Sequence, residues 1–73
     1  MREAAPDLVL RSQFAEWMAW LTPEEREIMT LRYVDELQHH EIAEVLDMPV
    51  GTVQWKIFHI KRKLAAKFGP RAV

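Results

Sequence analysis

Pro49 stands between a short helical segment and a long one, and its position constrains the fold more than any other residue. A proline disfavours helical geometry at the residue before it, so one continuous helix through Asp47-Met48-Pro49 is excluded. C-terminal to it, Val53, Ile57, Ile60, Leu64 and Phe68 recur at the spacing of one helix face, which predicts a helix over about Val50 to Lys67. Gly69-Pro70 ends that helix. N-terminal to the break, Ile42, Val45 and Leu46 are the expected core positions of a helix over about His39 to Leu46. Ala43 is small where two helices would need to approach closely. A short helix, a tight turn and a longer helix with a basic outer face make a helix-turn-helix pattern.

Two further helices precede this unit. Leu10, Phe14, Trp17, Met18 and Leu21 form an amphipathic stripe, predicting a helix from about Pro6 to Trp20. Thr22-Pro23-Glu24-Glu25 is a strong helix start: Thr22 caps, Pro23 suits the first helical position, and Glu25 completes a capping box. The second helix then runs to about Val34, with Ile28, Met29 and Leu31 as core candidates, before a break at Asp35-Glu36-Leu37-Gln38. Alternating apolar and polar runs are absent, so no strand competes. The expected fold is all-α: one small four-helix domain over residues 1–73, with a C-terminal helix-turn-helix and a tail at 69–73. An apolar content of 49% suits a compact bundle of this size.

The chain's net charge of −1 hides a strong polarity. Residues 1–47 carry all eleven Asp and Glu against four Arg, a balance of −7. Residues 48–73 carry Lys56, Lys61, Arg62, Lys63, Lys67 and Arg71 with no carboxylate, a balance of +6. A basic helical end points to a polyanion, with nucleic acid the leading class. The absence of cysteine excludes disulfides and a Cys-based zinc site. His39 and His40 are adjacent, so they point about 100° apart on a helix and do not form a chelating pair; no metal or cofactor is expected. There is no Gly-rich phosphate loop and no cysteine nucleophile, so no catalytic residue and no small-molecule substrate are assigned. No apolar run approaches the ~20 residues of a membrane helix, and the N-terminus is not shaped like a signal peptide, so the expected setting is cytoplasmic.

On the last helix, the face opposite the apolar stripe carries Gly51, Trp55, His59 and Arg62, flanked by Thr52, Lys56 and Lys63 on one side. Gln54, Phe58 and Lys61 lie towards the other. In a major groove, the N-terminal half of such a helix reaches base edges and later Lys and Arg meet phosphates. Gln54 can pair bidentately with adenine, and Trp55 or Phe58 can pack on a thymine methyl or on sugar. Thr52 can donate to a phosphate beside the helix start. The structural alternative is a solvated basic face near a helix C-terminus, where cations are favoured anyway.

Several motifs together resemble region 4 of bacterial sigma factors. They are Leu31-Arg32-Tyr33, Leu37, Glu41-Ile42-Ala43-Glu44-Val45-Leu46 and Pro49-Val50-Gly51-Thr52-Val53, the last pointing to the extracytoplasmic-function group. The Leu21-Thr22-Pro23-Glu24-Glu25-Arg26-Glu27 start and Lys63-Leu64 also fit, and the similarity covers roughly residues 8 to 68. The resemblance implies a domain that docks its last helix on the promoter −35 element, binds the β flap of RNA polymerase and often an anti-sigma factor. It implies base contacts from the positions of Gln54, Trp55, Phe58 and His59. Phosphate contacts are implied for Arg32 and His39, and the reading of the residues adds Thr52, Lys56, Arg62 and Lys63.

The chain departs from that family at informative positions. Members usually have Lys or Arg at 54, a small polar residue at 55 and Arg at 59, where this chain has Gln54, Trp55 and His59. Gln38 replaces a capping Ser, and Glu36 replaces a Gly, so the third helix is expected to start less firmly. The promoter-opening region 2 of the family is absent from this sequence, which implies a fragment or truncated relative of a sigma factor. Two alternatives remain open. A LuxR-type regulator domain shares the Leu-Thr-Pro start and the Thr52-Val53 and Ile60-Lys63-Leu64 pattern. A sigma-like module that binds an anti-sigma factor without DNA would suit the aromatic pair Trp55 and Phe58. Trp20 and Val9 form a candidate partner patch, with simple packing at the core edge as the alternative for Trp20.

Overall fold

The structure, a computed structural model, describes residues 13–69. Helix α1 is seen over residues 13–19. The expected start of that helix at Pro6, with Val9 and Leu10, lies outside the described residues, as does the tail from Pro70. Helices α2 (Pro23–Tyr33), α3 (His39–Leu46) and α4 (Val50–Phe68) follow, and among the described residues there is no strand. The domain is all-α.

Each boundary has a local cause. At the end of α1 the N–H groups of Trp20 and Leu21 donate to the carbonyls of Trp17 (3.0 Å) and Met18 (3.1 Å), tightening the last turn. At Thr22 the N–H donates to Glu25 Oε1 at 3.0 Å, and the Glu25 N–H donates to Thr22 Oγ1 at 3.2 Å. This reciprocal box satisfies two donors that a helix start otherwise leaves unpaired.

After α2 the chain reverses through Glu36, which sits in the left-handed region at φ 58°. The turn is closed by the Leu37 N–H on the Leu31 carbonyl (3.0 Å) and by the Arg32 guanidinium on the Leu37 carbonyl (3.2 Å). Helix α3 starts at Gln38, whose N–H donates to the Glu41 carboxylate at 2.7 Å, the half of a capping box that does not need a serine, while the Glu41 N–H turns to the Gln38 carbonyl at 3.0 Å. Asp47, at φ 55°, ends α3, and the Met48 N–H returns to the Ala43 carbonyl at 3.0 Å in Schellman fashion. Asp tolerates this conformation better than most residues. Pro49 in extended geometry then caps α4, and Gly69 at φ 101° ends it.

The core is formed by Leu21, Ile28, Met29, Ile42, Ala43, Val53, Ile57, Ile60 and Leu64. Trp17, Met18, Leu31, Leu37, Leu46, Met48 and Phe68 pack against it, partly buried. One expected core residue fails: Val45 is 59% exposed. Helix α3 has only two turns, and its buried arc is set by Ile42, Ala43 and Leu46. Val45 lies about 110° from the middle of that arc and so faces outward.

Candidate nucleic-acid interface

Helix α4 is buried along Val53, Ile57, Ile60 and Leu64, which leaves its opposite face open. Gln54, Trp55, Phe58, His59 and Arg62 are all exposed on or beside that face, and Trp55 and Phe58 are 61% and 59% accessible. Neighbours four apart along the helix organise it. The Trp55 and His59 rings stack in parallel, with centroids 5.1 Å apart and 5° between planes. The Arg62 guanidinium lies 5.8 Å from the centre of the Phe58 ring. The outer face is therefore two side-chain pairs, each joining an aromatic ring to a nitrogen-rich group.

An open groove runs along one flank, where the α2–α3 turn meets the start of α4. Arg32, Tyr33, Glu36, His39, Val50 and Gln54 line it, with Gln38 and His40 completing the rim. Arg32 and His39 thus stand beside Gln54 along one groove. Tyr33 was not legible as part of this surface. Its ring lies between Arg32 (5.7 Å) and Lys61 (5.8 Å), bridging α2 and α4. Only the crossing of the two helices reveals that contact; an exposed aromatic next to Arg32 was the available signal.

The opposite flank differs from the expectation of open phosphate-facing lysines. Lys56 Nζ is 3.1 Å from Glu24 Oε1, and Lys63 Nζ is 2.8 Å from Glu25 Oε1. Both lysines lean on the acidic start of α2. The Lys56 pair is well exposed and contributes little stability, so it exchanges readily with a competing anion. Glu25 is more firmly held. Burial pushes its carboxyl up, but hydrogen bonds from Lys63 and the Thr22 N–H, with the Lys63 charge, outweigh burial and hold it below its ordinary 4.5. Thr52 is half-buried, and its own N–H is already given to the Pro49 carbonyl at 3.0 Å. Its amide is therefore already paired within the helix start.

At the far end of α4, Trp20 is 52% exposed and meets Phe68 edge-on at 6.5 Å, with Lys67 Nζ 3.9 Å from its ring centre. It is packed at the core edge and partly open at once. Among the described residues, no helix is long and apolar enough to cross a membrane.

The sequence model of the family described as Sigma-70, region 4 matches residues 12–64. Among curated proteins, the chain is 43% identical over 45 residues to the ECF RNA polymerase sigma-E factor of Escherichia coli K12, covering 62% of this chain and 24% of that protein. It is 40% identical over 42 residues to the namesake factor of Haemophilus influenzae, covering 58% of this chain and 22% of that protein. The match thus spans about a quarter of the length of these relatives. No solved structure matches the chain significantly. The family match decides between the sigma and LuxR readings in favour of the first. With its pattern, its helix-turn-helix and the family match in agreement, the chain belongs to the sigma-70 region 4 family.

Proposed function

We propose that this domain recognises the −35 element of a promoter during transcription initiation, with α4 in the major groove. The observation that carries the reading is the open outer face of the N-terminal half of α4. Gln54, Trp55, Phe58 and His59 stand there, beside a groove lined by Arg32 and His39. The first four reach base edges; Arg32, His39, Thr52, Lys56, Arg62 and Lys63 meet phosphates on either side. Lys56 and Lys63 do so by exchanging Glu24 and Glu25 for the DNA backbone. The same reading places the domain in the cytoplasm, against the β flap of RNA polymerase, as part of a longer sigma factor.

Salt dependence tests the proposal. Binding to a −35 duplex should weaken with a slope of log K on log salt of about −3 to −4.5, as expected for three to five phosphates. No salt-sensitive binding to any duplex selected from random sequence would refute it. A second reading, an anti-sigma-binding module without DNA affinity, draws on the exposed Trp55 and Phe58 and on the two paired lysines. Absence of duplex binding by the parent favours this second reading, and Trp55→Ala then assigns the aromatic face: loss of anti-sigma binding with any duplex binding intact gives it to a protein.

A further inference from the structure

We infer that the base-reading half of α4 selects A·T pairs, with Gln54 on an adenine and the Trp55 and Phe58 rings against thymine methyl groups. The inference rests on the proposed promoter recognition and names the base chemistry of that site. Between Val50 and His59 the only Lys or Arg is Lys56, and its ammonium is held 3.1 Å from Glu24 on the flank facing α2. Reading guanine in the major groove relies chiefly on a guanidinium or ammonium aimed at O6 and N7. None is aimed outward from this stretch. Arg62 follows Val50 by twelve residues, about 18 Å along the axis. That places it with the phosphate-directed residues beyond the half of the helix that enters the groove.

What the stretch does present is matched to A·T. Gln54 is exposed, and its amide offers a donor and an acceptor in one plane, the complement of adenine N7 and N6. Trp55 and Phe58 expose large apolar faces on the same surface. In the major groove only thymine presents a methyl group for such a face. The parallel stack on His59 holds the Trp55 ring flat, so little rotamer freedom remains to be lost on docking. The Arg62 contact steadies Phe58 in the same way.

The test is selection of duplexes from a random library with the purified chain, followed by binding to the selected site and to the same site with deoxyuridine replacing thymidine. The selected core should be dominated by A·T pairs, and removing the thymine methyls should weaken binding about fourfold per methyl buried. Gln54→Ala should lose roughly tenfold in discrimination at one A·T pair and leave the others unchanged. A guanine-rich selected core, or equal affinity for the thymidine and deoxyuridine duplexes, overturns this inference and leaves promoter recognition standing. Failure to bind any duplex in a salt-dependent way overturns both.

Discussion

Glu36 occupies a backbone conformation that disfavours any side chain, and relieving it is a direct test of the turn between α2 and α3. At φ 58° its Cβ crowds the following carbonyl, costing about 1–2 kcal/mol. Glycine removes that crowding but loses about 0.5–1 kcal/mol through the greater freedom of its unfolded chain. Glu36→Gly should therefore stabilise the domain by about 0.5–1 kcal/mol. In a domain of this size that raises Tm by about 2–8 °C. Urea unfolding should show a midpoint about 0.5–1 M higher at unchanged m-value. Glu36→Ala is the control, because it keeps the Cβ and discards the carboxylate. If Ala stabilises as much as Gly, the charge and not the backbone was the burden, and the reasoning fails. The carboxylate has its own readout. It lines the groove with Arg32 and His39, so both variants should bind a promoter duplex more tightly, with a gain that shrinks as salt rises.

Three more perturbations probe the rest of the domain. Glu25→Ala removes the carboxylate half of the α2 capping box and the Lys63 partner but keeps the Thr22 side-chain cap, and should cost about 1–2 kcal/mol near neutral pH in urea melts. Because the folded Glu25 carboxyl lies below 4.5, its contribution is complete above that value and is lost as pH falls through the lower folded value, so parent and variant should converge in acid. Gly51→Ala meets nothing within 4 Å and should raise stability by up to about 1 kcal/mol. If the DNA backbone approaches the start of α4 closely, the same variant should lose duplex affinity, which titration of the purified protein checks. Ile57→Ala opens a cavity in the α4 stripe and should cost about 2–5 kcal/mol by chemical denaturation, enough to unfold much of a domain this small.

Much of the architecture was legible because it is local. The Thr22–Glu25 box needs four consecutive residues, and the break at Asp47-Met48-Pro49 needs three. The α4 stripe follows from helical period alone. The outward placement of Gln54, Trp55, Phe58 and His59 follows from the same period, since whatever lies opposite Val53, Ile57, Ile60 and Leu64 faces solvent. The Trp55–His59 stack joins residues four apart and was within reach of the same argument. Val45 was misplaced because three apolar residues on a two-turn helix do not define which pair faces inward. Its neighbour α4 made that choice by packing on Ile42 and Ala43.

The sequence by itself determined that the chain is helical, where α2, α3 and α4 begin and end, and that its positive charge collects on the last of them. Capping, proline geometry and period act over a few residues, and no distant contact is needed to read them. Tertiary structure decided which of those positive charges stay open. Lys56 and Lys63 meet Glu24 and Glu25 across 32 and 38 residues of chain. Such pairing exists only because the shared core brings the acidic start of α2 alongside the middle of α4. The same crossing set Tyr33 between Arg32 and Lys61. A side chain's charge is written in the sequence, but the partner that neutralises it depends on how the helices cross.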